Sequence, residues 1–283
     1  MQHYPQSTLY VVATPIGNLA DISLRALHVL QLADAIGCED TRHTQALLRQ
    51  FGIEKPLLAV HEHNELEAAQ GVIDRLQRGE RVAYVSDAGT PAVSDPGARL
   101  VAAVRAAGLR VMPLPGASSV TTALSAAGVL GDSGFVFSGF LPSKAGERDT
   151  AITALQTETK AVVMMEAPHR IEALAAAMAP LGERLVTVCR ELTKQFEEIA
   201  TTTASQLAAW LAAGPQRTRG EFVLVLHPLQ VAPAADDGAR VLRLLLAELP
   251  LKTAVKLAAD ITGAPRNALY DTALRFKNDE PSK

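Results

Sequence analysis

Three loops rich in Gly, Pro and small hydroxylated residues are the places where this chain could bring its backbone against a ligand. They are Thr14-Pro15-Ile16-Gly17-Asn18-Leu19, Ser86-Asp87-Ala88-Gly89-Thr90-Pro91 and Pro113-Leu114-Pro115-Gly116-Ala117-Ser118-Ser119. Gly and Pro make tight turns that let main-chain groups approach closely, and Asp87 adds a carboxylate. Two further loops are polar, Glu39-Asp40-Thr41-Arg42-His43 and His61-Glu62-His63-Asn64-Glu65. Acids beside Arg and His suit positioning of a substrate and proton transfer. Asp40-Thr41 equally suits the cap of a following helix. Gly139-Phe140-Leu141-Pro142 leads to Lys144 and Arg148, spaced to share a helix face, where they contact phosphate or lie solvated.

What is missing narrows the chemistry. No G-x-G-x-x-G follows the first apolar run, no G-x-x-x-x-G-K-[ST] is present, and Gly116-Ala117-Ser118-Ser119-Val120 is not a G-x-S-x-G elbow. His61-Glu62-His63 is too closely spaced for a helical H-E-x-x-H, so no metal is expected.

The elements that must carry these loops alternate. Strands are expected at Leu9–Val12, Ala35–Cys38, Leu57–Val60, Arg81–Val85 and Leu109–Met112. Helices are expected at Ser23–Leu32, Thr41–Gln50, Glu65–Arg78 and Gly97–Ala107. This βαβ rhythm implies a largely parallel sheet with helices on both faces. Each ligand-type loop then falls at the carboxyl end of a strand, where open α/β sheets bind ligands. A second region changes rhythm: strands at Phe135–Ser138, Ala161–Met165, Leu185–Cys189 and Phe222–Leu226, with helices at Ser119–Ala127, Arg170–Met178 and Gln206–Ala212. After a Pro- and Ala-rich linker, His227–Asp237, only helices follow: Ala239–Glu248, Thr253–Ile261 and Arg266–Phe276. The expected organisation is an α/β domain over residues 1–117, a second over 118–228, and a helical module over 238–283.

The 283 residues are 48% hydrophobic and carry a formal net charge of −3, so any nucleic-acid contact must come from a local patch. Between Arg240 and Lys277 seven basic residues stand against three acidic ones, which leaves an acidic body and a basic tail. The tail has two short helices around the Gly263 turn, in the manner of a helix-turn-helix. Lys252, Lys256 and Arg266 are its candidate nucleic-acid contacts, alongside Lys144 and Arg148. The two cysteines, Cys38 and Cys189, read as reduced buried thiols of a cytoplasmic protein. No apolar run is long enough for a membrane span, and no secretory signal is expected at MQHYPQSTLYVV.

Taken in order, T-P-I-G-N-L-A-D-I-S, E-D-T-R-H-T, H-E-H-N-E, S-D-A-G-T-P-A-V-S-D-P-G, L-P-G-A-S-S, G-F-L-P-S-K, E-A-P-H-R, R-E-L-T-K and G-E-F-V-L-V resemble the tetrapyrrole methylase superfamily. Within it they resemble the small-subunit ribosomal RNA cytidine 2′-O-methyltransferases, and L-P-L-K-T-A-V-K-L-A-A-D-I-T-G-A-P-R-N-A-L-Y resembles their helical extension. The resemblance runs from Leu9 to about Tyr270. It implies two α/β domains with S-adenosylmethionine in the cleft between them, lined by Pro15, Ser86, Asp87, Gly89, Thr90, Ser119, Val120 and Met165. It also implies a small-subunit ribosomal RNA substrate and a homodimer. Glu39, Asp40, Arg42 and His63 are the candidates for base or positioning roles. Two alternatives stay open: a C-methyltransferase of tetrapyrrole precursors, and an effector-sensing regulator that reads nucleic acid with its tail.

Overall fold

The computed structural model describes residues 3–61, 65–131, 134–229 and 237–278. They form two compact units, residues 1–229 and 230–283. The first unit holds two five-stranded sheets.

The first sheet is parallel throughout and ordered β3-β2-β4-β1-β5, from β1 (Thr8–Val12), β2 (Ala35–Cys38), β3 (Leu57–Ala59), β4 (Arg81–Val85) and β5 (Arg110–Leu114). Its inner strands are buried on both faces, which is why they read as unbroken β-branched runs. One face packs on α1 (Leu24–Leu32) and α2 (Thr41–Gln50), the other on α3 (Glu65–Gln77) and α4 (Ala98–Ala106). The order decides the function. Strands β4, β1 and β5 are neighbours in register, with Val12 opposite both Val85 and Leu114. The three Gly- and Pro-rich loops therefore leave the sheet side by side at one level.

The second sheet is mixed and ordered β6-β7-β10-β8-β9. Its strands are β6 (Phe135–Phe140), β7 (Ala161–Glu166), β8 (Leu185–Arg190), β9 (Glu198–Thr203) and β10 (Phe222–Leu226). Helix α5 (Ser119–Ala126) covers one face, while α6 (Ala145–Leu155), α7 (Ile171–Met178) and α8 (Leu207–Ala212) cover the other. Arg184, just before β8, is buried and ties this half together. Its guanidinium donates to the carbonyls of His227, Leu155 and Lys160, from three separate segments. Arg184→Met removes these three bonds, although Leu155 keeps a second donor, the Glu158 N–H (3.2 Å). Hydrogen bonds from a charged donor contribute about 1.5–3 kcal/mol each. Urea unfolding of this variant is expected to show about 3 kcal/mol less stability.

Four elements differ from the sequence expectation. β5 runs through Pro113 to Leu114, because an edge strand tolerates a residue with no N–H. β6 continues past Ser138 to Phe140 through a register shift between Phe137 and Gly139. The polar edge strand β9 was not expected, and helix α6 was expected only as a helix face shared by Lys144 and Arg148, without bounds. Lys144 accordingly sits at the N-cap of α6 instead of sharing its face with Arg148.

The second unit consists of α9 (Asp237–Glu248), α10 (Leu251–Thr262) and α11 (Arg266–Asn278). Leu242, Ala254, Val255, Ala258, Leu269 and Ala273 form its core. Gly263 closes α10 in the left-handed conformation (φ 72°), the turn expected of a helix-turn-helix. Among the described residues no helix is long and apolar enough to cross a membrane.

Candidate functional site

The loops at the ends of β4, β1 and β5 meet the second sheet around a cavity of about 370 Å3. The first half contributes Ile16, Gly89, Thr90, Val93 and Asp95 to its wall, and Ser119 comes from the start of α5. The second half contributes Met165, Glu166, Cys189, Leu192 and Val223, among others. The loops brace each other before any ligand enters. Thr14 and Gly89 exchange backbone hydrogen bonds (2.9 and 3.0 Å), and the Thr14 hydroxyl donates to the Ser86 carbonyl (3.1 Å). Ser86 Oγ donates to the Gly89 carbonyl (3.2 Å), and Thr90 Oγ1 donates to that of Ala117 (2.9 Å).

Of the eight residues expected to line a cofactor cleft, Gly89, Thr90, Ser119 and Met165 lie in this wall. Ser86 is buried beneath it and shapes the turn. Val120 packs into the apolar cluster under it, with Val163 and Val225. Pro15 lies one residue before Ile16 on the same loop. Asp87 turns towards β2, where its Oδ1 accepts the Asp40 N–H (3.2 Å). Burial pushes the Cys189 thiol up to about 11, which makes it an apolar wall element instead of a nucleophile.

Three wall carboxyls, Asp95, Glu166 and Glu221, were not singled out from sequence, although all stand inside motifs quoted above, S-D-P-G, E-A-P-H-R and G-E-F-V-L-V. Asp95 is half-buried, and burial, reinforced by Glu39 and Asp87, pushes it up to about 6. Glu166 is fully buried at the end of β7 and pairs with Arg170 (3.0 Å). Its second oxygen has no partner among the described residues. Arg170 in turn donates to the Leu141 carbonyl, tying the G-F-L-P loop to this wall.

In the polar loop after β2 the Asp40 carboxylate is taken up locally. Asp40 is the N-cap of α2 and accepts the Arg42 N–H (2.8 Å), while the Arg42 guanidinium returns to pair with it (3.1 Å). The Arg42 side chain, and then its backbone N–H, hold the Asp40 carboxyl down at about 2. His63 lies outside the described residues. Glu65, from the same segment, is buried and accepts three N–H groups, from Gly97, Arg99 and Leu100 (2.9–3.0 Å). It thereby pins the start of α4 and the loop that carries Asp95.

Among the expected RNA contacts, Lys144 is exposed and pairs with Glu147 (3.1 Å). Arg148 is half-buried, its Nε without a partner among the described residues. In the second unit Lys252 and Lys256 are exposed on α10, and Arg266 pairs with Asp260 (2.9 Å).

Comparison with known proteins places this geometry. Residues 8–208 match the family model of tetrapyrrole (corrin/porphyrin) methylases, and residues 232–277 match that of the RsmI C-terminal HTH domain. A protein of Neisseria meningitidis named ribosomal RNA small subunit methyltransferase I is 51% identical over 275 residues, covering 96% of this chain and 94% of that protein. Among solved structures, a cobalt precorrin-4 methyltransferase of cobalamin biosynthesis aligns with a TM-score of 0.58 at 19% identity, over 77% of this chain and 94% of its own. A uroporphyrin-III C-methyltransferase from Thermus thermophilus, solved with S-adenosyl homocysteine, aligns with a TM-score of 0.52 at 15% identity, over 77% and 96%. These two likenesses concern the fold; the family follows from the matched domains and the full-length relative. The chain belongs to the tetrapyrrole methylase family, in the branch of the ribosomal RNA small subunit methyltransferase I proteins.

Proposed function

We propose that this protein transfers a methyl group from S-adenosylmethionine to the ribose 2′-hydroxyl of a cytidine in small-subunit ribosomal RNA. The observation that carries this reading is the full-length relative at 51% identity, whose name specifies the ribosomal small subunit. The cavity fits the cofactor. It offers hydroxyls at Thr90 and Ser119 and an apolar wall at Met165, Leu192 and Val223. The unpartnered oxygen of Glu166 is an acceptor awaiting a donor, and the cofactor carries donors on its ribose, amine and base. Bound there, S-adenosylmethionine supplies an electrophilic methyl on a sulfonium. Pro15, Ser86, Asp87 and Val120 hold the loops in place around it.

Alignment is the enzyme's main task, since near-attack positioning supplies about 7–11 kcal/mol of such a barrier. Glu39, Asp40, Arg42 and His63 are assigned to positioning the RNA at the rim; with Asp40 held so acidic, it serves better as an anchor for Arg42 than as a base. Lys144, Arg148, Lys252, Lys256 and Arg266 are assigned to RNA phosphates. Domains 1–117 and 118–228 act as the catalytic pair and 238–283 as the recognition module, in a cytoplasmic homodimer.

The test is to incubate methyl-labelled cofactor with small subunits lacking the modification and to map the product. Label on the ribose of one cytidine is expected. Label on a base, or on tetrapyrroles instead of RNA, overturns the reading. In the same assay, Lys252→Glu with Lys256→Glu is expected to weaken subunit binding about tenfold or more. The log–log salt dependence should become shallower by roughly one to two.

A further inference from the structure

We propose that Asp95 is a catalytic residue of this site, the carboxylate that contacts the reacting ribose hydroxyl and takes up its proton. The assignment rests on the ribose-methylating reading above and adds the group that completes it.

The cavity wall carries three carboxyls, Asp95, Glu166 and Glu221. Two are committed elsewhere. Glu166 is paired with Arg170 and accepts the Ala167 N–H (2.9 Å), and Glu221 pairs with Lys194 (3.0 Å). Asp95 lies near the Ser86 hydroxyl, and the charged groups acting on it are the carboxylates Glu39, beyond β2, and Asp87, beyond β4. The Tyr84 phenol also lies within its influence, as does Glu65 within that of Tyr84. No cation of the described residues is ion-paired with Asp95. Among the three wall carboxyls it is the one that no cation of the described residues holds in its ionised form, which favours it over Glu166 and Glu221 as the proton acceptor.

Its backbone is held as a catalytic group requires. Ala92 and Ser94 adopt left-handed conformations (φ 66° and 63°), and Gly97 has φ 123°. The Ala92 N–H closes the turn onto the Pro96 carbonyl (3.3 Å), and Glu65 pins the Gly97, Arg99 and Leu100 amides. A Cβ at residue 97 would lie 2.4 Å from the Tyr84 ring, so the loop sits directly on the sheet. Strained residues persist where their surroundings over-determine them, and they cluster at functional sites.

The step balances. The hydroxyl oxygen forms a C–O bond to the methyl carbon as the C–S bond breaks. The C–S electron pair goes to sulfur, which becomes a neutral thioether, and the hydroxyl proton passes to the Asp95 carboxylate. Burial and its two acidic neighbours push Asp95 up to about 6. It is therefore ionised at neutral pH yet more basic than an ordinary aspartate, as a general base should be. Asp40, held near 2 by Arg42, lacks that basicity.

The experiment is single-turnover methylation of undermethylated small subunits at saturating S-adenosylmethionine, from pH 5 to pH 9. The wild-type rate is expected to rise with pH, bend at or somewhat below pH 6, because the sulfonium of bound cofactor favours the ionised carboxylate, and level above it. Asp95→Asn is expected to lose about 10²–10⁴-fold on the plateau and to lose the bend, with cofactor affinity by calorimetry little changed. A variant at the wild-type rate, or one that keeps the bend, overturns the assignment. Should Asp95→Asn fail to fold, by its melting curve, the wild-type profile decides, and a profile without that bend overturns it. Wild-type enzyme that leaves subunit ribose unmethylated defeats the parent reading, whereas active wild type beside an unaffected Asp95→Asn defeats only this one.

Discussion

Glu65→Ala is expected to lower stability by about 3–5 kcal/mol and to weaken cofactor binding at the same time. One carboxylate oxygen holds the amides of Gly97, Arg99 and Leu100, all at the start of α4. Hydrogen bonds to a charged acceptor contribute about 1.5–3 kcal/mol each, and buried donors left bare carry their full desolvation cost. The three are not independent, so the loss falls short of their sum. For a unit of this size it corresponds to a melting temperature roughly 10 °C lower. The functional consequence travels through the same residues, because the pinned loop carries Asp95 and Val93 into the cavity wall. Glu65→Gln keeps an acceptor oxygen and should recover part of both effects. Wild-type melting of Glu65→Ala would show that the three contacts are not holding the loop.

Gly89→Val is expected to cut cofactor affinity about 100-fold or more, a larger effect on binding than any polar substitution in the wall. Gly89 sits at φ 79°, a conformation costly for a β-branched residue, by about 1–3 kcal/mol. Its paired hydrogen bonds to Thr14 prevent the backbone from rotating away. A Cβ there would approach Ile16 Cγ2 to 3.2 Å and the Ala117 carbonyl to 3.6 Å. The branched methyls would add to the crowding of a wall that both loops share. Calorimetry with S-adenosylhomocysteine reads the outcome, with Gly89→Ala as the milder step. Undiminished binding to Gly89→Val would move the cofactor out of this cavity.

The strands and helices of the first sheet were legible in the sequence to within about two residues, because buried parallel strands spell continuous apolar runs. Strand β9 and helix α6 lack that signature. β9 reads Glu-Ile-Ala-Thr-Thr-Thr, an edge strand whose one large apolar side chain, Ile199, is exposed. α6 buries only Ile152 fully, so no apolar stripe announces it. At the site, loops could be recognised by Gly and Pro, but their direction could not. Asp87 looked the natural carboxylate at the cavity, yet it turns to the Asp40 amide, while Asp95, eight residues on, takes the wall. That choice depends on the left-handed turns at Ala92 and Ser94, in residues that give no local hint of adopting them. Glu65 was likewise quoted within a polar motif, and only the fold reveals that three amides converge on it.

The place of β10 has a consequence for how the protein is made. It is the last strand in the chain, yet it lies in the middle of its sheet, between β7 and β8. A nascent chain synthesised as far as β9 therefore has the first sheet complete, while β7 and β8 each present a bare, apolar pairing edge. Such edges recruit other chains. Phe222 and Val223, on β10, also belong to the cavity wall. The cavity thus closes only when Phe222–Leu226 has been made and has slotted between strands already waiting for it. From that moment cofactor in the surrounding solution can bind the native state and oppose its unfolding.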